Sequence, residues 1–149
     1  MFKKFGRRSA MMTLAAIVGT LGLVLTAAPA QATTTTLSGP ISECNFTLKY
    51  GVARTNSNAQ NAVSFRPTNT GGCGAPLTLA LRNSSGSTFA RGTANSGKTV
   101  AIKADNGKYW VGAGTFYINA GINGACGSST CAQGHSWSAS FTYNVRWTP

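Results

Sequence analysis

The stretch Gly124–His135, GACGSSTCAQGH, places two cysteines five positions apart and the chain's single histidine four beyond the second. Residues of these types serve three chemistries. A structural zinc site takes four ligands, and C-x4-C-x3-H offers three with no other histidine in the chain. A thiol redox pair is spaced C-x-x-C beside a helix, which does not describe this stretch. A nucleophilic cysteine needs a free thiol, whereas the chain holds four cysteines, an even number that can pair completely. The stretch therefore reads as a disulfide staple, provided the chain reaches an oxidising compartment.

Residues 1–32 supply that condition, because they read as an export signal. Lys3, Lys4, Arg7 and Arg8 form a positive n-region, and no charge occurs from Ala10 to Ala28. Leu14–Val18 and Leu21–Leu25 make the apolar h-region, and Ala30-Gln31-Ala32 is the small-x-small pattern of a cleavage site. Thr13, Gly19, Thr20 and Gly22 dilute the run below the roughly 20 strongly apolar residues of a membrane span. Cleavage is expected after Ala32, leaving residues 33–149 as one secreted, extracellular, monomeric domain with no transmembrane segment. Four cysteines allow three connectivities. We expect the local pairing, Cys126–Cys131 with Cys44–Cys73, since Gly127, Ser128, Ser129 and Thr130 are small enough to let the first pair meet. Loop-closure estimates give the two bridges about 2 and about 3.5 kcal/mol.

The catalytic inventory is thin. A glycosidase uses two carboxyl groups flanking the bond, and Glu43 and Asp105 are the only acids present. Asp105 sits in the turn-forming tripeptide DNG. There is no G-x-S-x-G elbow for a serine hydrolase, and His135 stands at the start of a strand pattern. The best enzymatic alternative is a small secreted ribonuclease with Glu43 as base, His135 as acid and an arginine on the phosphate. The expectation is no enzyme, no metal and no cofactor. Nine basic residues remain after residue 32 against those two acids, a formal charge of +7, and no two of them are adjacent. Such a balance either solubilises a surface or draws it to a polyanion.

The elements that must position these residues are strands. Alternation of apolar and polar residues dominates, and apolar spacing of three and four is absent after residue 32. Cys44, Phe46, Leu48, Tyr50 and Val52 share one face of a first strand; Leu77, Leu79 and Leu81 share one face of another. Val100, Ile102 and Ala104 alternate with Thr99, Ala101 and Lys103, and in HSWSASFTYNVRWT the odd positions 137–147 are apolar. Weaker strands fit at 61–66, 87–93, 108–112 and 115–122, separated by the turn signals TNTGGCG, NSSG, NSG, DNG and GAG. The expected fold is all-β: a disulfide-stapled antiparallel sandwich, or small barrel, of seven to eight strands. Residues 33–40, TTTTLSGP, read as a loose N-terminal arm.

One segment suggests a ligand. If GAG closes a hairpin centred on Ala113 in KYWVGAGTFYINAG, Trp110 faces Phe116 toward the core, and Tyr109 and Tyr117 pair outward. Asn119 and Lys108 then flank an aromatic platform of the kind that stacks on sugar rings. The functional expectation is a small basic secreted protein that attaches, without chemistry, to an anionic or polysaccharide surface such as a cell envelope. The alternative is a secreted inhibitor or antimicrobial protein presenting the constrained loop 126–131 to a target protein, since a rigid loop loses less entropy on binding.

Overall fold

The computed structural model describes residues 31–41, 47–71, 75–122 and 135–149. They form ten strands and no helix: β1 (Thr33–Ile41), β2 (Thr47–Lys49), β3 (Arg54–Asn56), β4 (Asn61–Thr70), β5 (Leu77–Arg82), β6 (Thr88–Ala94), β7 (Val100–Ala101), β8 (Lys103–Ala104), β9 (Gly114–Ile122) and β10 (His135–Arg146). All pairings are antiparallel. A four-stranded sheet has the order β1-β10-β4-β7, and a six-stranded sheet runs β2-β9-β5-β6-β8 with β3 also on β9.

Alternation decides which face is buried. Leu77, Leu79 and Leu81 of β5 lie in register with Ile122, Ala120 and Ile118 of β9, and all six are buried. They meet Val63 and Phe65 of β4 and Trp137, Ala139 and Phe141 of β10, so the core is the space between two facing sheets. Phe116 and Phe141 bridge it with ring centres 6.3 Å apart. Each such large side chain contributes about 1.5–3 kcal/mol by leaving water.

The stretch 99–104 is divided between the sheets. β7 pairs with β4 in one sheet and β8 with β6 in the other. Between them Ile102 is fully buried, and its N–H donates to the Val63 carbonyl.

Three expectations need correction. Residues 33–40 are not a loose arm, because β1 runs in unbroken register along β10 from Thr33↔Tyr143 to Ile41↔His135. Its alternation is hidden in a run of threonines, where only Leu37 is a large apolar residue turned inward. Val52 is 64% exposed rather than on the core face. The register between β9 and its partners slips by two residues from Lys49↔Asn119 to Arg54↔Phe116, which frees Val52 from the alternation. Finally, 108–112 forms no hairpin with β9. Thr115 and Phe116 pair with Thr55 and Arg54 of β3, Tyr117 pairs with Arg82 of β5, and Val111 bridges Asn61 instead.

The sandwich has two distinct ends. At one, Ile41 pairs with His135, Thr70 with Trp137, Thr47 with Gly121 and Leu77 with Ile122. Cys44, Cys73, Cys126 and Cys131 lie outside the described residues, each three or four positions along the chain from these strand ends. At the other end stands a network of asparagines. Asn144 adopts φ 59°, in a break of register between Thr142 and Val145. Its Oδ1 accepts from the Ser57 N–H at 2.8 Å and the Ser57 hydroxyl at 3.0 Å, and its own N–H donates to Asn56 Oδ1.

Candidate functional site

The outward face of the six-stranded sheet collects most of the residues that the sequence singles out. Register lines up one row across five strands: Lys49 (β2), Asn119 (β9), Ala80 (β5), Arg91 (β6) and Lys103 (β8). The adjacent row pairs Tyr117 of β9 with Arg82 of β5. Lys49, Arg91 and Lys103 are exposed, while Asn119, Tyr117 and Arg82 are half-buried. Alternation puts them there: Arg82, Arg91, Tyr117 and Asn119 each neighbour a buried residue of the same strand, and Lys103 follows the buried Ile102.

Arg82 is the organiser of this face. Its Nε donates to Asn119 Oδ1 at 2.9 Å, its Nη2 donates to the Tyr50 carbonyl at 3.1 Å, and its guanidinium stacks 4.7 Å from the Tyr117 ring centre. The fork is thus held by a side chain of β9 and the backbone just beyond β2.

Arg91 and Lys103 face each other directly across β6 and β8. Like charges in this arrangement destabilise a sheet. Two contacts moderate the repulsion. Arg91 Nε lies 3.3 Å from Asp105 Oδ1, and Lys103 Nζ donates to the Tyr109 hydroxyl at 3.0 Å while lying 4.2 Å from that ring's centre. The hydrogen bond to Lys103, and then its charge, lower the Tyr109 pKa from its ordinary value. Asp105 occupies the expected turn, where the Gly107 N–H donates to the Ala104 carbonyl.

Tyr109 and Tyr117 are not a cross-strand pair. Tyr117 belongs to β9, whereas Tyr109 rests on Lys103 of β8, three strands further across the sheet. Three strand spacings separate β9 from β8, about 14 Å at about 4.8 Å per strand. Lys108 Nζ lies 4.5 Å from the Trp110 ring centre, and Trp110 is half-buried without facing Phe116, whose strand partner is Arg54. Of the platform residues, only Tyr117 and Asn119 are neighbours on one strand, gathered by Arg82. Sequence reasoning missed Arg82 and the Arg91–Lys103 row because it had no pairing between β5, β6 and β8. The alternation in LTLALR and TFARGTA does place Arg82 and Arg91 outward.

Glu43 and the side chain of His135 lie outside what is described, as does the loop 126–131. Asp105, paired with Arg91, is the single side-chain carboxylate among the described residues.

No protein-family model matches the chain, and no characterised protein matches its sequence. Among solved structures it is similar to the infectious bursal disease virus VP2 subviral particle, with 16% identity and a TM-score of 0.32 over 87% of this chain and 36% of that one. A second is the Gx strain of the same virus, with 14% identity, a TM-score of 0.28, and coverage of 74% and 31%. The chain spans about a third of those chains.

Proposed function

We propose that this chain is a secreted, non-catalytic binding protein that attaches through the outer face of its six-stranded sheet to an anionic polysaccharide surface such as a cell envelope. The observation that carries this reading is the row Lys49–Asn119–Ala80–Arg91–Lys103 beside Arg82. Four cations share one outward face, two of them directly opposed, against one carboxylate among the described residues. A polyanion laid across that row relieves the Arg91–Lys103 repulsion and releases counterions, so affinity should be charge-led and salt-sensitive. Arg82 and Lys103 already occupy a face of Tyr117 and Tyr109, which leaves sugar stacking a smaller share.

Export fits the start of the fold: β1 opens at Thr33, directly after the small-x-small site. The four cysteines all belong to segments bounded by one end of the sandwich, which suits two bridges there. Cys126–Cys131 with Cys44–Cys73 is our proposal, and peptide mapping decides it against the crossed pairings. Unreduced digests should yield no free thiol and a Cys126–Cys131 peptide; a Cys44–Cys126 or Cys44–Cys131 peptide would reverse the assignment.

The functional test is retention on insoluble acidic glycans across a salt series. Wild type should be held at low salt and released above physiological strength, where the Debye length falls below about 8 Å. Arg91→Glu with Lys103→Glu should elute much earlier with an unchanged circular dichroism spectrum. Retention that ignores both salt and the charge reversal would refute the reading, and a positive protease-inhibition panel would move it to the loop 126–131.

A further inference from the structure

At the asparagine-lined end of the sandwich lies an open cleft of about 610 Å3, walled by Asn58, Ala59 and Gln60 on one side and by Arg146, Trp147, Thr148 and Pro149 on the other. Its volume falls in the range of small-molecule sites, about 300–1,000 Å3.

The walls are fixed from beneath. The Trp147 N–H donates to the Gln60 carbonyl at 3.1 Å, tying the two sides together. Asn61 is fully buried, and its Nδ2 donates to the Asn58 carbonyl at 2.6 Å and to the Val111 and Gly112 carbonyls at 3.3 Å. Asn144 holds Ser57 through two further bonds. Polar groups under the cleft are thus consumed by structure.

Asn58 in the wall is bound as well, its Nδ2 donating to Asn61 Oδ1 and to the Asn144 carbonyl, but three other lining groups are not. Among the described residues, the Arg146 guanidinium, the Gln60 carboxamide and the Trp147 indole N–H have no hydrogen-bond or ion-pair partner. One aromatic ring, one amide and one cation, on a pinned scaffold, match the chemistry of a single sugar. The indole offers a flat apolar face with a donor at its edge, the amide can both donate and accept, and the guanidinium forks onto a carboxylate. Arg146 is the one cation in the lining, which suits a singly charged carboxylate better than a doubly charged phosphomonoester.

We propose that this cleft is a binding site for a hexuronate unit, a pyranose carrying one carboxylate. The proposal does not rest on the charged sheet face, and the two can fail separately.

The test is titration of the 15N-labelled mature protein with D-glucuronate, read at the Trp147 indole N–H, beside D-glucose, D-glucose 6-phosphate and sodium chloride at equal ionic strength. Glucuronate should give a saturable shift with a dissociation constant of about 1 mM, the scale expected for so small a ligand. Glucose and Arg146→Gln should each weaken binding about tenfold, the loss of one charge-assisted contact. Arg146 is exposed, so that variant should keep the wild-type spectrum elsewhere. Arg91→Glu with Lys103→Glu should leave glucuronate binding unchanged even where it abolishes glycan retention. The proposal is overturned if glucuronate shifts nothing saturably, if chloride reproduces the shift, if the phosphate sugar binds more tightly, or if Arg146→Gln binds like wild type.

Discussion

The guanidinium of Arg82 lies 4.7 Å from the centre of the Tyr117 ring while its Nε donates to Asn119 on the same neighbouring strand. One planar cation therefore fixes two side chains of β9 and, through the Tyr50 carbonyl, the chain leaving β2. Lysine keeps the charge but not the fork. Arg82→Lys should lower stability by about 1 kcal/mol or more and leave low-salt glycan retention near wild type, while Arg82→Ala should reduce both. Equal retention by wild type and Arg82→Ala at every salt concentration would remove Arg82 from the binding face.

Gly92 is where β6 passes beneath the crossing strand. A Cβ there would stand 3.2 Å from the Ala101 carbonyl oxygen, 3.2 Å from Phe65 Cε1 and 3.4 Å from Ile102 Cα. Two of these neighbours are backbone, at the point where the chain changes sheets, so they yield little. Gly92→Ala should cost about 1–3 kcal/mol in chemical denaturation, despite the usual entropic benefit of alanine. Gly51→Ala, with nothing within 4 Å of its Cβ, should stay within about 0.5 kcal/mol.

Asn144 combines backbone strain with service as an acceptor. Its φ of 59° costs alanine roughly 1–2 kcal/mol and glycine almost nothing. Both replacements lose the two bonds from Ser57. Urea midpoints should therefore fall in the order wild type, Asn144→Gly, Asn144→Ala. Equal midpoints for glycine and alanine would mean that the left-handed conformation relaxes when the side chain is removed.

Period-two alternation makes the core legible: β5 and β9 bury the residues that the pattern selects, and so does β10 as far as Phe141, whereas Tyr143, Val145 and Trp147 are half-buried around and beyond the register break after Thr142. Strand pairing was not legible. GAG looks like a hairpin turn, but β9 pairs with β5 over six residues and with β2 and β3 over three each, so local turn chemistry lost to non-local ladders. TTTTLSGP looks unstructured because threonine fits either a solvated arm or an edge strand, and only the length of β10 decides between them. The same gap hid the site. Each cation could be placed on an outward face, but their assembly into one row depends on the order β2-β9-β5-β6-β8.

Tyr50 provides a pH test of how β1 is held. Its hydroxyl donates to the Ser38 carbonyl at 2.6 Å, and its ring meets Trp137 edge-on at 6.1 Å. Burial pushes its pKa up to about 12, an effect partly offset by the charge of Arg54. In the unfolded chain the phenol titrates near the ordinary value of about 10. The unfolded state therefore gives up this proton first as pH rises. The stability linked to Tyr50 is complete below about pH 10 and is lost progressively as pH climbs through about 12. Ionisation also removes the proton that bonds β1, so the edge strand should loosen with it. Tyr50→Phe should begin less stable by about 1 kcal/mol at neutral pH and show a shallower decline between pH 10 and 12. Denaturant midpoints of the two proteins, measured at half-unit steps, should converge over that window. Parallel curves would show that groups other than Tyr50 carry the alkaline transition.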